Sequence, residues 1–461
     1  DISFRGLLKN RKDVSKEELE GLFSVLEKLQ SMVSNVQELD TDIPQLHAAM
    51  LAFIQLSGQI KISQVENGSF TKTQSHVQST YTPPLTTTRD SLYETAGNAL
   101  NISTLRSDEI KLSLNMATYA YYDSSEILAE KLNEMDYTVL QHKLEFCPGK
   151  VAHYSAVSPT ERLLVVGFRG TSTLSDILTD CCGRAVPLVD HNSIGDKIRV
   201  EIKAADGCER ITLEDHDNDG DNFVRCHEGI LISAKNVLNE IEPFLLPLVE
   251  CRYRVIFCGH SLGAATAIVT AILLRSKYPD LFLDTKQIHV YAFGTPPVLD
   301  HDSAIASCSF CTTIINNADL ISRLSISNLA VLLACLRSIQ SKLAEHKMNP
   351  KGPVSSVAFF NKIAEGTSGT PLMTLSELNH TFDEAHKNLP LRKPEHLFIP
   401  GKVLLAYYPW RNEREEPKST GRNNLQCVQT TGASNVFQRL EIDGLRCLTD
   451  HLTSSYFEIM G

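Results

Sequence analysis

Arg254-Val-Ile-Phe-Cys258 runs straight into Gly259-His-Ser-Leu-Gly263 and then into Ala264-Ala-Thr-Ala-Ile-Val-Thr-Ala-Ile-Leu-Leu274. An apolar strand, a G-x-S-x-G turn and a long helix of small residues follow one another without a spacer. A bare G-x-S-x-G is common by chance, but this context turns it into a nucleophile elbow. The sharp strand-to-helix turn forces Ser261 into a strained backbone, and Gly259 and Gly263 let neighbouring elements approach without Cβ clashes. The serine oxygen then stands above the sheet, in front of a helix N-terminus that favours negative charge. His260, inside the turn, is expected to brace it and not to act as the base.

Outward from the elbow, strands and helices alternate from about residue 107, the pattern of an α/β sheet. Strands are expected at Val151–Ser158, Leu163–Phe168, Tyr253–Cys258, Ile288–Phe293, Thr312–Asn316 and Val403–Tyr408. Helices are expected at Ala117–Asn133, Glu228–Leu245 and Ala264–Lys277. The segments at about 184–225 and 340–395 fit no strand–helix unit and read as lid-type insertions. The fold class is therefore α/β, an α/β-hydrolase-type central, mostly parallel sheet with helices on both faces.

A serine is a weak nucleophile and needs a base and an acid that orients the base. In this fold they follow in the order serine, acid, histidine. Asp319 lies just past the strand Thr312–Asn316, at the carboxyl-end rim that carries Ser261; Asp300 and Asp302 are the runners-up. The later histidines are His346, His380, His386, His396 and His451. His396 precedes the strand Val403–Tyr408 and falls at its wrong end, the first three lie in the second insertion, and His451 follows the last strand. His451 is the expected base. The oxyanion donors are expected at the N–H groups of Leu262 and of Thr171, at the end of Val165-Val-Gly-Phe-Arg-Gly-Thr171, with Arg169 bracing that loop.

Together these motifs resemble the class 3 lipase family. The residues that carry the likeness are Phe168-Arg-Gly-Thr171, Gly259-His-Ser-Leu-Gly263, Phe293-Gly-Thr-Pro296, Asp319 and His451. Arg169-Gly-Thr171, Asp176-Ile-Leu-Thr-Asp180, Cys226-His-Glu-Gly229, Pro400-Gly-Lys-Val403 and Asp450-His451 are more closely similar to sn-1-specific diacylglycerol lipases. The likeness covers about residues 110–461. It implies a cofactor-free serine lipase acting on glycerolipids, diacylglycerol-type preferred, and it implies that 340–395 corresponds to a regulatory loop over the active site. Those relatives carry a four-helix transmembrane domain ahead of the catalytic one, and this chain shows no such run. Phospholipase A1, galactolipase or soluble carboxylesterase activity, or a non-catalytic lipid-binding or scaffold role on the same fold, stay open as alternatives.

The 461 residues allow about three domains by length, but one site shared across 106–461 makes that stretch a single lipase domain with two insertions. Residues 1–105 read as a helical extension, apolar at helical spacing over Leu19–Leu29 and about 43–60, with a Ser/Thr/Pro-rich linker at 66–89. Apolar residues at 42% and charged residues at 21% exclude a chain disordered throughout and a fibrous one. The net charge of −11 argues against nucleic acid and against simple electrostatic docking on anionic membranes. Lipid contact is expected instead through apolar lid surface at a membrane or droplet, and the location is expected to be cytoplasmic and peripherally membrane-associated. Twelve scattered cysteines do not form a disulfide framework, and Cys308-x-x-Cys311 lacks a partner pair. Asn67, Asn101 and Asn379 head glycosylation tripeptides that point the other way on location. Asp215, Asp217 and Asp219 match the start of a calcium loop, but position twelve is Cys226 where a Glu is needed, so this reads as a solvated acidic loop. His227 is expected to cap or pack, and Trp410 to line the acyl pocket or the core.

Overall fold

The strand sequences alternate in which layer they feed. Leu164, Val166 and Phe168 join one core with Val255 and Phe257, whereas Leu163 and Val165 join a second core with Ile256 and Cys258. A sheet whose successive residues are buried on opposite faces must have helices on both sides. A computed structural model describes residues 93–145, 149–171, 185–188, 224–282, 284, 286–345, 372–373, 377, 380–381, 384, 396–409, 425–437 and 446–461. The expected helices and linker of 1–89, Asn67, Asp176–Asp180, Asp215, Asp217, Asp219, His346, Asn379, His386 and Trp410 lie outside the described residues.

Eleven strands are described: β1 (Asn98–Leu100), β2 (Thr138–Lys143), β3 (His153–Ser158), β4 (Leu163–Phe168), β5 (Ala185–Pro187), β6 (Arg225–His227), β7 (Arg254–His260), β8 (Ile288–Phe293), β9 (Cys311–Asn316), β10 (Lys402–Tyr407) and β11 (Gln426–Thr431). Nine of them form one sheet in the order β1-β11-β10-β9-β8-β7-β4-β3-β2, and β5 pairs with β6 separately. Strands β4, β7, β8, β9 and β10 run parallel, with antiparallel strands at both edges. The principal helices are α1 (Asp108–Tyr119), α2 (Ser125–Asn133), α3 (Glu228–Glu250), α4 (Leu262–Lys277), α5 (Ile326–Glu345) and α6 (Thr453–Met460). Helices α3 and α4 cover the first core, and α1, α2 and α6 the second. This is the expected α/β sheet with helices on both faces.

Three differences from the sequence reading have physical causes. The helix expected over Ala117–Asn133 is two helices, broken at 120–124, with the Ser124 side chain accepting the Ile127 N–H to start α2. Helix α3 continues past Leu245 to Glu250 in spite of Pro243 and Pro247, because Leu238, Ile241, Leu245 and Val249 extend its buried stripe. The sheet also takes in β1, inside the stretch assigned to the N-terminal extension, and Tyr93 is fully buried against Tyr407. The ordered core thus begins before residue 106. Of the insertions, the ends Ala185–Leu188 and Val224–His227 of the first are described and pair as β5 and β6. The second begins as the last turn of α5.

The glycines of the elbow are there for closeness. A Cβ on Gly259 would overlap the Gly263 and Ala264 backbone, and one on Gly263 would overlap the backbone of Phe168 and Arg169. Helix α4 lies directly on the ends of β4 and β7, which is why its first turn reads Leu-Gly-Ala-Ala-Thr.

Candidate functional site

The carboxyl ends of the parallel strands share one rim, where open α/β sheets place their sites. Strand β7 leads directly into Ser261, whose φ of 59° and ψ of −129° are strained for a residue with a side chain. Its N–H donates to the Phe293 carbonyl at 2.9 Å, which fixes the turn against β8. Strand β9 ends at Asn316 and leads to Asp319, and His451 precedes α6. The structure brings Ser261, His451 and Asp319 together: His451 Nε2 lies 3.0 Å from Ser261 Oγ, and His451 Nδ1 lies 3.0 and 2.9 Å from the two Asp319 oxygens. Ser261 and Asp319 are 0% exposed and His451 is 5% exposed. A carboxylate only accepts, so Nδ1 carries the hydrogen and Nε2 is left to accept from the serine. The arrangement can pass the Ser261 proton to His451 while Asp319 holds the ring.

Asp319 is held from several directions. Its Oδ1 accepts the Ile321 N–H at 2.9 Å, and its Oδ2 accepts the Tyr456 hydroxyl at 2.6 Å. Burial pushes its carboxyl up, but the charge and hydrogen bond of His451, the Tyr456 bond and His260 outweigh that and leave it below its ordinary value. Buried Arg323 donates to the carbonyls of Asp319 at 2.9 Å and Asn317 at 3.0 Å, and to the Tyr93 hydroxyl at 2.6 Å. The loops of acid and base are stitched together: Asn316 Nδ2 donates to the Asp450 carbonyl, and Asp450 Oδ2 accepts Asn317 Nδ2 at 2.7 Å. Sequence reasoning missed Tyr456, Arg323 and the bracing role of Asp450. The pair Asp450-His451 was visible as a motif, whereas Tyr456 and Arg323 carry no local signal.

The other residues singled out from the sequence fall as follows. Asp300 caps the short helix His301–Ala306 and accepts the Arg225 N–H at 2.7 Å, and Asp302 pairs with His301; neither is part of the Ser261–His451 chain. His396 packs on Phe398 ahead of β10, and His380 lies in the second insertion. His227 caps α3 by accepting the Ile230 N–H. Arg169 binds Asp123 at 2.7 Å and so braces the loop after β4. Leu262 is the first residue of α4, where backbone N–H groups have no acceptor within the helix. Thr171 is buried, and the preceding Gly170 adjoins the elbow, where a Cβ would come within 3.1 Å of Ser261 Cβ.

Gly294 faces the acid and the base together. Its φ is +59°, and a Cβ there would sit 2.8 Å from Asp319 Oδ2, 2.9 Å from the Tyr456 oxygen and 3.0 Å from His451 Nδ1. Gly294→Ala is expected to lower kcat by roughly 10²-fold by displacing the imidazole, and to cost about 1–3 kcal/mol in backbone strain. Turnover and a thermal melt of the same variant check both.

Several buried histidines make acid destabilising. Burial pushes His227 and His289 down to about 4, and burial with the neighbouring His451 pushes His260 down to about 3, from an ordinary 6.5. Each is neutral when folded and takes up a proton on unfolding once the pH falls below about 6.5, so stability present above that value is lost toward pH 4. The slope is about 1.4 kcal/mol per pH unit for each proton taken up. Melts at stepped pH should show Tm level above pH 7 and falling steeply below 6; a flat Tm down to pH 5 would contradict these burials.

Among the described residues no group of three or more His, Cys, Asp and Glu is placed to hold a metal, and no helix is long and apolar enough to cross a membrane. Cys226, Cys251, Cys258, Cys311, Cys335 and Cys427 are free thiols. Asn101 is exposed, with its side chain accepting the Ser103 N–H.

Residues 165–329 match the family model for Lipase (class 3). The matched segment contains Thr171, Ser261, Leu262 and Asp319 and ends before His451. Diacylglycerol lipase-alpha of Homo sapiens is 27% identical over 186 residues, 38% of this chain and 15% of that protein. Diacylglycerol lipase-beta of Mus musculus is 30% identical over 167 residues, 36% of this chain and 20% of that protein. The matches thus span a fifth or less of these relatives' length. Among solved structures, a lipase from Rhizopus microsporus var. chinensis aligns with a TM-score of 0.40 at 14% identity, covering 77% of this chain and 88% of that one. The native Rhizomucor miehei lipase propeptide complex aligns at 0.41 and 13%, covering 85% and 91%.

Proposed function

We propose that this chain, whose residues 165–329 match the class 3 lipase model, hydrolyses carboxylic ester bonds of glycerolipids, with diacylglycerols as preferred substrates. The observation that carries the reading is the hydrogen-bonded run from Ser261 through His451 to Asp319 at a strained elbow. Ser261 Oγ attacks the ester carbonyl while His451 Nε2 takes its proton, and Asp319 stabilises the imidazolium that forms. The N–H groups of Leu262 and Thr171 receive the oxyanion. Collapse of the tetrahedral species breaks the C–O bond, and His451 returns the proton to the departing glyceride alcohol. Water, deprotonated by the same imidazole, then adds to the acyl-enzyme and releases the fatty acid and the serine. No cofactor is needed for any of these steps.

Substrate is met at a lipid surface, with one or both insertions serving as a lid over an apolar cleft. Likeness to the diacylglycerol lipases supports diacylglycerol over triacylglycerol or phospholipid. Hydrolysis of diacylglycerol, triacylglycerol, phospholipid and a soluble short-chain ester, each with and without residues 1–92, tests this. Diacylglycerol should give the highest kcat/KM by at least about tenfold, the size of a modest pocket discrimination. A higher value on phospholipid or on the soluble ester would overturn the preference, and no turnover with no fluorophosphonate labelling of Ser261 would overturn the hydrolase.

A further inference from the structure

A second hydrogen-bonded chain lies beside the first and uses none of its polar atoms except a carbonyl. His260 Nε2 is 2.7 Å from the backbone oxygen of His451, and His260 Nδ1 is 3.0 Å from the Tyr121 hydroxyl. A carbonyl only accepts, so Nε2 carries the hydrogen. Burial keeps the ring neutral, which leaves Nδ1 as an acceptor and makes the Tyr121 hydroxyl the donor. The Tyr121 oxygen also lies against the loop after β4, since a Cβ on Gly170 would collide with it. Each nitrogen of the His260 ring thus has one role, and the run reaches from the loop after β4 to the residue proposed as the base.

Its position is specific. Gly170 is pinned between the Tyr121 hydroxyl and the His260 carbonyl, where any Cβ would collide with both, and Thr171 is the next residue. At the other end the rings of His260 and His451 lie 4.6 Å apart at 33°. A neutral His260 can sit there without opposing the positive charge that His451 takes on during turnover, which a cationic side chain could not. Tyr121 comes from the break between α1 and α2, where the sequence pattern favoured an unbroken helix. The guanidinium of Arg169 lies 5.8 Å from its ring centre. A local conflict between pattern and structure at the rim of a site is where function is expected to override propensity.

We propose that Tyr121 is a positioning residue: through His260 its hydroxyl ties the oxyanion loop at Gly170–Thr171 to the loop of His451, so that the donors and the imidazole are set as one unit. This rests on the hydrolase reading above. It assigns to Tyr121 an effect on the transition state and none on substrate binding.

The test compares wild type with Tyr121→Phe, which keeps the ring and its contact with Arg169, and with His260→Gln, which keeps a donor for the His451 carbonyl and loses the imidazole. Folding is read by Tm, and kcat and KM on a soluble ester. The inhibition constant of an alkylboronic acid, which forms a tetrahedral adduct on the serine, is read alongside. Tyr121→Phe should lower kcat by about 10–100-fold, less than loss of an oxyanion donor itself, leave KM within about twofold, and weaken the boronate by the same factor as kcat. The double variant should be no worse than the weaker single one, because both break one chain. A merely structural role would lower Tm without this matched loss. Wild-type values of kcat and boronate affinity in folded Tyr121→Phe overturn the inference while leaving the hydrolase intact. If Tyr121→Phe does not fold, the same values in His260→Gln overturn it. Absence of turnover and of fluorophosphonate labelling in the wild type overturns the underlying reading instead.

Discussion

Ser261→Ala is expected to lower kcat by roughly 10⁶-fold and to abolish fluorophosphonate labelling, with Tm nearly unchanged. The size follows from what remains. Oxyanion donors and binding alone supply about 10³–10⁴ over water, whereas the complete set supplies far more. The fold should not suffer, because the hydroxyl's hydrogen bond is to His451 Nε2 and the turn itself is held by the Ser261 N–H to Phe293. Alanine at φ 59° bears the same strain as serine. Mass spectrometry of the labelled wild type should place the phosphonate on Ser261. Labelling at another serine, or turnover of Ser261→Ala within about a hundredfold of wild type, would remove the elbow from the mechanism.

The elbow could be read from sequence because each of its demands is local. A strand, two glycines that admit close backbones, and a helix of small residues are all contiguous, and the structure places Gly259 and Gly263 where a Cβ would collide. Asp319 and His451 were legible one step less directly, through chain order and the ends of apolar strands. The parts that bind them to one another were not legible. Tyr456 meets Asp319 across 137 positions of sequence and Arg323 meets Tyr93 across 230. Nothing in their neighbourhoods distinguishes a buried tyrosine or arginine from a packed one. The edge strands were missed for another reason: Thr138–Lys143 has no buried alternation, since an outer strand presents both faces to partial solvent. The break at 120–124 was missed because the apolar positions on either side keep helical spacing.

Asp319→Asn is expected to lower kcat by about 10⁴-fold with the fold intact, the effect of holding the imidazole in the wrong tautomer. The hydrogen-bond inventory fixes why the amide cannot substitute. Asp319 accepts from the Ile321 N–H on Oδ1, and from the Tyr456 hydroxyl on Oδ2, with His451 Nδ1 near both oxygens. An asparagine has one accepting oxygen and one donating nitrogen. If the oxygen stays on the Ile321 N–H, the NH₂ faces Tyr456 and His451, and Nδ1 must become the acceptor. Nε2 then carries the hydrogen and can no longer take the proton of Ser261. The opposite flip sets the NH₂ against the Ile321 N–H, two donors in a fully buried site, at a cost of about 1–3 kcal/mol. The first orientation is therefore the stable one and the inactive one. Asp319→Ala should be less folded, since it strands the Tyr456 hydroxyl, the Ile321 N–H and Nδ1 together. Melts and turnover of the two variants distinguish these cases: an Asp319→Asn protein with wild-type Tm and kcat within about tenfold of wild type would mean that Asp319 does not set the tautomer.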